Sequence, residues 1–137
     1  MRILALDMGE KRIGVALSDA MRITAQGLEV IQRVGNTKDL ARIGEIIKEH
    51  EVSELVLGYP KNMDGSIGEK CVLVEKFAAL LQENFPQLKI HLWDERLSTS
   101  EAQKVLINAD MRRDKRKQVV DKMAAVIILQ GFLARFA

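Results

Sequence analysis

The first third of the chain alternates short apolar runs with polar turns. Residues 3–6 and 13–17 form two apolar runs separated by a polar turn at residues 8–11, a pattern typical of a β-hairpin. A third segment, residues 25–34, carries spaced apolar side chains and predicts a third strand or an edge strand, whose register the pattern leaves open. The chain is therefore expected to begin with strands that have no helix between them.

Further along the chain, helical patterns appear. Apolar residues three and four positions apart predict a helix over residues 36–50, capped by one of its first two residues. A second helix is predicted over residues 66–84, where Ser66 and Glu69 have the spacing of a capping box. Both helices should bury one apolar face.

The remaining elements follow the same alternation. Short apolar runs predict strands at residues 55–59 and 89–93, on either side of the second helix. Another capping-box spacing opens a predicted helix over residues 98–108, and a last helix is predicted over residues 118–136.

This order of elements fits an α/β fold with a mixed five-stranded sheet. Strands joined by tight turns pair antiparallel and strands joined through a helix pair in parallel, so an antiparallel hairpin edge and a parallel half, flanked by helices, are expected. The 137 residues are enough for one domain and not for two. We therefore expect a single domain spanning residues 1–137.

Three acidic residues belong to elements whose other residues are apolar. Asp7 ends the first apolar run, Glu95 follows the fifth strand, and Asp121 shares one face of the last helix with apolar side chains. A carboxylate in such a place must be paired, hydrogen-bonded or bound to metal to offset its desolvation cost. Because the carboxyl ends of parallel strands open into one crevice, Asp7 and Glu95 should meet there. Each acid alone could instead cap a turn or pair with Lys11 or Arg96.

Carboxylates gathered in this way suit hard divalent cations. Magnesium prefers oxygen ligands, and two such ions about 4 Å apart can activate water and stabilise the oxygens exchanged at phosphorus. We therefore expect Asp7, Glu95 and Asp121 to bind Mg²⁺ or Mn²⁺ and to act in phosphodiester hydrolysis. His50 ends a helix and His91 lies within a strand, so both are interpreted as structural, with a role for His91 left open.

The net charge of +2 conceals a basic segment at residues 112–117. Five basic residues and one acidic residue give this segment a charge of +4, so the rest of the chain carries −2. The basic residues are Arg112, Arg113, Lys115, Arg116 and Lys117. Because the segment directly precedes the helix of Asp121, it could guide a nucleic-acid backbone into the crevice; the alternative is a solvated loop. Lys11, Arg12 and Arg96 lie beside the acids, where they would contact a phosphate or neutralise the carboxylates.

Composition argues against several other classes of protein. With 47% hydrophobic and 29% charged residues, the chain has the composition of a globular protein rather than a disordered one. Cys71 is the only cysteine and reads as a buried helix residue, so an intrachain disulfide or a cysteine-based zinc site is impossible. The first apolar run is too short for a signal peptide, and no run reaches the length of a membrane span. A soluble cytoplasmic protein is expected.

Four segments resemble the YqgF/RuvX family in their order and spacing. They are residues 7–19, 62–66, 94–99 and 121–125, the last followed by Ile128 and Leu129. The family is similar in fold to ribonuclease H and Holliday junction resolvases, and its members are described as resolvases or as nucleases that mature the 5′ end of precursor 16S rRNA. The resemblance implies a ribonuclease H-like nuclease with catalytic acids at Asp7, Glu95 and Asp121. Tyr59 departs from the family, which more often has an aliphatic residue there.

Other classes share part of this pattern. Actin-like and sugar-kinase folds also begin with Asp-x-Gly before a second strand, but they need two such domains to enclose ATP. A non-catalytic RNA-binding or transcription-associated factor is a further alternative, against which the intact acids argue. Between rRNA processing and junction resolution the sequence does not decide, because a processing nuclease can act as a monomer and a resolvase needs a two-fold dimer. We expect a monomer or weak homodimer that acts on precursor rRNA or branched DNA, without a membrane partner.

Overall fold

The computed structural model describes residues 2–62, 64–94 and 113–136. In chain order the elements are β1 (Arg2–Met8), β2 (Arg12–Ser18), β3 (Ala25–Gln32), α1 (Asn36–Glu49), β4 (Val52–Tyr59), α2 (Glu69–Asn84), β5 (Lys89–Asp94) and α3 (Arg113–Phe136). All five predicted strands are present, and so are the predicted helices that fall within the described residues. The predicted helix over residues 98–108 lies outside them.

The five strands form one mixed sheet with the order β3-β2-β1-β4-β5. β2 pairs antiparallel with β1 and with β3, whereas β4 pairs in parallel with β1 and with β5. This confirms the predicted α/β fold: tight turns join the antiparallel strands, and α2 carries the chain from β4 to the parallel β5. The carboxyl ends of β1, β4 and β5 therefore lie at one edge of the sheet, with β4 in the middle.

Helices cover both faces of the sheet and produce two hydrophobic clusters. On one face, Leu4 and Leu6 of β1 pack with residues of α1 and α2, including the buried Cys71. On the other face, Ile3 and Ala5 pack with residues of α3. Successive strand residues point to opposite faces, and the regular pairing of β1 with β2 continues to the end of the strand. Even-numbered residues of β1 therefore face α1 and α2, and odd-numbered ones face α3.

A row of small residues allows α3 to approach the sheet closely. Ala5 of β1 lies opposite Ala16 of β2, which lies opposite Gly27 of β3. A Cβ atom at Gly27 would stand 3.4 Å from Cβ of Lys122 and 3.7 Å from Cγ2 of Val126. A larger side chain in this row would push the helix outward, so the small residues determine how close the backbone near residue 121 comes to the sheet.

Helix α1 does not start with either predicted side-chain cap. Its N-cap position is Gly35, and neither Asn36 nor Thr37 caps the helix through its side chain. The buried carboxylate of Asp39 instead accepts a hydrogen bond from the N–H of Val34 at 3.3 Å. Asp39, in the first turn of α1, therefore bonds the backbone just before the helix. The sequence pattern predicted a side-chain contact of this kind from Asn36 or Thr37 instead.

Helix α2 likewise starts without the predicted capping box. It begins at Glu69, after Gly68, and no side chain caps it. The N–H and the hydroxyl of Ser66 both donate to Oδ1 of Asp64, at 2.9 and 2.6 Å. Because Ser66 is bonded within its own turn and lies outside the helix, the capping-box prediction is wrong.

Helix α3 begins at Arg113, five residues before the predicted start. Arginine, lysine and glutamine are good helix formers, and neither glycine nor proline separates residues 113–117 from the predicted helix. The basic residues 113–117 are therefore part of the helix and not a loop before it. Although α3 has 24 residues, neither it nor any other described helix is apolar enough over a sufficient length to cross a membrane.

His91 belongs to a charged cluster on the α3 face of the sheet. Oε1 of Glu54 lies 2.9 Å from Nε2 of His91, and Oε2 lies 2.7 Å from Nη1 of Arg22. The His91 ring also packs against Phe132 of α3, with ring centroids 4.9 Å apart. His91 therefore connects β4, β5 and α3, which supports its interpretation as a structural residue.

Glu54 should make stability depend on pH in the acid range. Burial raises the pKa of this carboxyl, but the hydrogen bond from His91 and the charge of Arg22 outweigh burial and hold the pKa below its ordinary value of 4.5. The stability that such a group contributes is present above pH 4.5 and is lost as the pH falls through the lowered pKa of the folded state. Glu54→Gln should cost about 1 kcal/mol of unfolding free energy at neutral pH, and less in acid.

Urea denaturation of the wild type and the Glu54→Gln variant from about pH 3 to pH 7 measures this effect. Glu83→Gln, on the exposed side of α2, serves as the control and should follow the wild type. A difference between Glu54→Gln and the wild type that stays constant across this range would contradict the assignment.

Candidate metal and nucleic-acid site

Asp7 occupies the penultimate position of β1, at the carboxyl edge of the sheet. Its partner on the neighbouring strand β2 is Gly14, which has no side chain to fill the space beside Asp7. Asp7 is half-buried and alternates with Ile3 and Ala5, so its carboxylate is directed to the face that α3 covers. Asp7 thus lies at the predicted edge of the sheet. It is on the face of the sheet that α3, the helix containing Asp121, covers.

The other two predicted acids lie partly or wholly outside the described residues. Glu95 directly follows Asp94, the last residue of β5, and is outside them. The backbone of Asp121 lies in α3, one turn before the buried Ala125, but its side chain is outside them. Among the described side chains, no group of three histidine, cysteine or acidic residues could hold a metal ion. The three-carboxylate site therefore stays a prediction. The described backbone is compatible with it, because Asp7 faces the helix that contains Asp121.

A tight turn follows Asp7 and requires glycine. The N–H of Gly9 donates to the carbonyl oxygen of Arg12 at 2.9 Å, which closes the turn between β1 and β2. A Cβ atom at Gly9 would stand 2.7 Å from that same oxygen, closer than atoms of this kind approach each other. The close turn keeps Lys11 and Arg12, both predicted phosphate contacts, at the same sheet edge as Asp7.

Arg33 holds this turn against the two neighbouring helices, although no motif in the sequence points to it. Its Nη1 donates to the carbonyl oxygen of Gly9 at 3.1 Å, and its backbone N–H donates to the carbonyl oxygen of Lys11 at 2.9 Å. The guanidinium also pairs with Oδ2 of Asp39 at 3.3 Å and lies 5.5 Å from the ring centroid of Phe77. Only the register of β3 against β2 brings Arg33 to the turn, so no local sequence signal could have identified it.

The turn borders a crevice with a volume of about 370 Å³. Residues 8–12, Arg33, Lys70 and Leu73 line it. Lys70, in the first turn of α2, is a second residue that the sequence analysis did not single out. Of the described side chains that line it, four are basic and one is acidic, so this part of the lining has a net positive charge next to the end of β1.

Tyr59 ends β4 at the same edge of the sheet, but it faces inward. Its hydroxyl donates a short hydrogen bond to Oε1 of Glu75 on α2, and the residue is only 7% exposed. The hydrogen bond to Glu75, together with burial, raises the pKa of Tyr59 to about 12. The aromatic residue that departs from the family pattern therefore contacts α2 within the fold.

The described residues of the turn at residues 62–66 hydrogen-bond to one another. The N–H of Asn62 donates to the carbonyl oxygen of Ser66 at 3.0 Å, and its side-chain Nδ2 donates to the Ser66 hydroxyl at 2.9 Å. The helix that follows starts later, at Glu69. These contacts are those of a turn that leads into the helix.

The predicted basic contacts divide into three groups. Lys11 and Arg12 lie in the β1–β2 turn beside Asp7. Residues 113–117, which include Arg113, Lys115, Arg116 and Lys117, form the first turns of α3. Arg96 and Arg112 lie outside the described residues.

Sequence comparison places these features in a known family. A family model described as RuvX, Holliday junction resolvase, matches residues 1–135. A relative from Desulfitobacterium hafniense is 54% identical over 133 residues, which cover 97% of this chain and 92% of that protein. A relative from Carboxydothermus hydrogenoformans is 53% identical over 133 residues, and one from Bacillus licheniformis is 53% identical over 135; each alignment covers 97% of this chain and 96% of the relative. The names of all three describe proposed pre-16S rRNA nucleases.

Solved structures share the fold at much lower sequence identity. RuvC of T. thermophilus, in complex with a Holliday junction substrate, aligns with a TM-score of 0.61 and 12% identity, covering 98% of this chain and 95% of RuvC. The Fowlpox virus resolvase, in complex with Holliday junction DNA, aligns with a TM-score of 0.54 and 11% identity, covering 98% of each chain. This likeness confirms the predicted ribonuclease H-like fold.

Proposed function

The chain belongs to the RuvX family, and from this premise we propose that it is a metal-dependent endonuclease that processes the 5′ end of precursor 16S rRNA. Family membership supports a phosphodiester-cleaving hydrolase with a nucleic-acid substrate. The observation that favours rRNA is the identity of 53–54%, over nearly the whole chain, to relatives whose names describe pre-16S rRNA nucleases. In this proposal residues 1–137 act as one nuclease domain, and such a substrate would place the protein in the cytoplasm.

Asp7, Glu95 and Asp121 would hold Mg²⁺ or Mn²⁺ at the carboxyl edge of the sheet. A divalent ion there would activate water and offset the charge that develops on the phosphate, and two ions would do so for both oxygens of the displacement. The part that the structure supports is the placement of Asp7, which is half-buried, lies opposite Gly14 and faces the helix that contains Asp121. Carboxylates suit this role because magnesium prefers oxygen ligands.

The basic residues would position the nucleic-acid backbone relative to these acids. Lys11 and Arg12 lie three and four residues beyond the end of β1 and can contact a phosphate near Asp7. Residues 113–117 lie at the start of α3, on the helix that leads to Asp121, and can contact the backbone further from the cut. Such contacts add affinity without reading the base sequence.

Junction resolution is the second candidate, and the family description favours it. A resolvase cuts two strands symmetrically, which requires a two-fold dimer with two active sites. Processing of rRNA can instead be carried out by a monomer. The oligomeric state is therefore part of the proposal, and a monomer or a weak homodimer is expected.

A cleavage assay that offers three substrates side by side tests the proposal. The substrates are structured precursor 16S rRNA, an unrelated single-stranded RNA and a four-way DNA junction, each with Mg²⁺ or Mn²⁺ and with EDTA. Metal-dependent cutting of the precursor in preference to the junction is expected. Paired cuts in the junction by a dimer would favour the resolvase function, and binding without any cleavage would favour a non-catalytic RNA-binding factor.

Loss of the basic segment should weaken binding without changing sequence preference. Phosphate contacts release counterions, so replacing Arg112, Arg113 and Lys115 with alanine should reduce the slope of log affinity against log salt by up to about 2, at roughly 0.7 per contact on a single strand. Fluorescence anisotropy in EDTA at several salt concentrations measures the slope. A slope equal to that of the wild type would show that these side chains are exposed to solvent and do not contact nucleic acid.

A further inference from the structure

We infer that the crevice beside the β1–β2 turn binds backbone phosphates of a single-stranded segment that flanks the cleaved bond. The inference rests on the proposed nuclease function and extends it. It adds Arg33 and Lys70 to the residues that recognise the substrate. It also sets a requirement on the substrate, because the strand next to the cut must be free to bend.

The crevice contains basic side chains that form no ion pair with another described residue. In the described part of the chain, none of Lys11, Arg12 and Lys70 forms an ion pair. Glu10 is the only carboxylate among the described residues that line the crevice. Basic groups gathered in a concave site attract and concentrate anions, and a phosphate would relieve their mutual repulsion.

Arg33 gives the crevice a fixed wall. Three of its side-chain nitrogens are hydrogen-bonded, to Gly9, Asn36 and Asp39, at 3.1–3.3 Å. The ring of Phe77 lies against the guanidinium. A wall fixed in this way loses little conformational freedom when a ligand binds, so the site is preorganised.

The size and the apolar part of the crevice fit about one nucleotide. Its volume of about 370 Å³ is within the range of roughly 300–1,000 Å³ that small-molecule sites have. Met8 and the half-exposed Leu73 form apolar lining beside the basic side chains. A phosphate with an attached sugar matches this combination better than an isolated inorganic anion.

The crevice and the carboxylate of Asp7 lie on opposite faces of the sheet. Met8 packs with the α1 and α2 cluster, whereas the alternation along β1 directs Asp7 towards α3. A strand that contacts both must pass around the carboxyl edge of the sheet. A short duplex resists such a bend, because the persistence length of DNA is about 150 bp. A single strand can follow this path.

Lys70→Ala tests the inference, with Lys76→Ala as the matched control. Lys76 is also exposed on α2 but does not line the crevice. Binding is measured in EDTA with two RNAs that share the same processing site, one with single-stranded flanks and one with both flanks paired in a duplex. Lys70→Ala should bind the single-stranded form several-fold more weakly, with a salt slope lower by about 0.7. It should bind the duplex form as the wild type does, and Lys76→Ala should behave as the wild type with both.

Cleavage kinetics separate this inference from the proposed function. With metal and the single-stranded flanks, Lys70→Ala should raise KM and leave kcat unchanged, because it removes a contact remote from the reacting bond. Equal behaviour of Lys70→Ala and Lys76→Ala, with cleavage by the wild type intact, would overturn the crevice inference alone. An equal loss on both RNAs would overturn the single-strand requirement. Failure of the wild type to cleave either RNA would instead overturn the proposed function. It would also overturn the inference that the crevice binds a strand beside the cleaved bond.

Discussion

Asp7→Asn is expected to abolish metal-dependent cleavage and to leave the fold intact. Asparagine has nearly the same shape as aspartate but lacks the charge that would hold divalent ions at the carboxyl edge. The side chain is half-buried opposite Gly14, so the amide fits the space that the carboxylate occupied. Single-turnover cleavage with Mg²⁺ and with Mn²⁺ measures the effect, and thermal unfolding checks the fold.

The outcome is decided by the residual rate. Retention of more than about a tenth of the wild-type rate corresponds to a barrier change below roughly 1.4 kcal/mol, too small for a central ligand. Glu10→Gln is the matched control, because Glu10 is an exposed acid three residues further along the same turn. With the protein in saturating excess, so that a change in crevice binding does not affect the measured rate, it should cleave at close to the wild-type rate. Equal losses in the two variants would mean that negative charge near the turn, and not a specific ligand at Asp7, supports catalysis.

Gly9→Ala should damage both stability and activity. The added Cβ would stand 2.7 Å from the carbonyl oxygen of Arg12, which is backbone and cannot rotate away as a flexible side chain could. The turn must open, which weakens the hydrogen bond from Gly9 to Arg12 and the contact of Arg33 with the carbonyl oxygen of Gly9. We expect a loss of about 1–3 kcal/mol in unfolding free energy. A lower kcat should accompany it, because the turn directly follows β1, which carries Asp7.

Denaturant unfolding and cleavage kinetics measure the two effects. Gly68→Ala is the control: a Cβ there would meet Asn62 at 3.6 Å, an ordinary contact, and the backbone is extended. It should change stability by less than about 1 kcal/mol. If Gly9→Ala were as stable and as active as Gly68→Ala, the tight turn would not be needed to hold the site.

The sequence predicted the layout of the sheet because short-range rules govern it. A tight turn between two apolar runs produces an antiparallel pair, and a helix between two runs produces a parallel one, so the mixed sheet followed from the order of the elements. The same rule placed Asp7 at the carboxyl edge, and the structure adds that β4 lies between β1 and β5. The backbone of Asp121 is in the helix that packs near the row of Ala5, Ala16 and Gly27.

Local patterns failed at the start of two helices. Ser66 has the spacing of a capping residue, but its hydroxyl bonds to Asp64 within the same turn. The start of α3 was placed five residues late, because basic residues near a helix amino terminus oppose the helix dipole and resemble a preceding loop. In both cases local rules favour two alternatives of similar energy, so the sequence pattern alone does not choose between them.

Sequence alone determined the strands and helices found among the described residues, whether neighbouring strands pair parallel or antiparallel, and the position of Asp7 near the end of the first strand. These features depend on neighbouring residues and on the alternation of apolar side chains. Only the tertiary structure decided which residues line the crevice beside the β1–β2 turn. Arg33 reaches the carbonyl oxygen of Gly9 across 24 positions of sequence, and Lys70 comes to the same crevice from α2. Such contacts depend on strand register and helix packing. Both result from many weak interactions along the whole chain, so no single residue carries a sequence motif that predicts them.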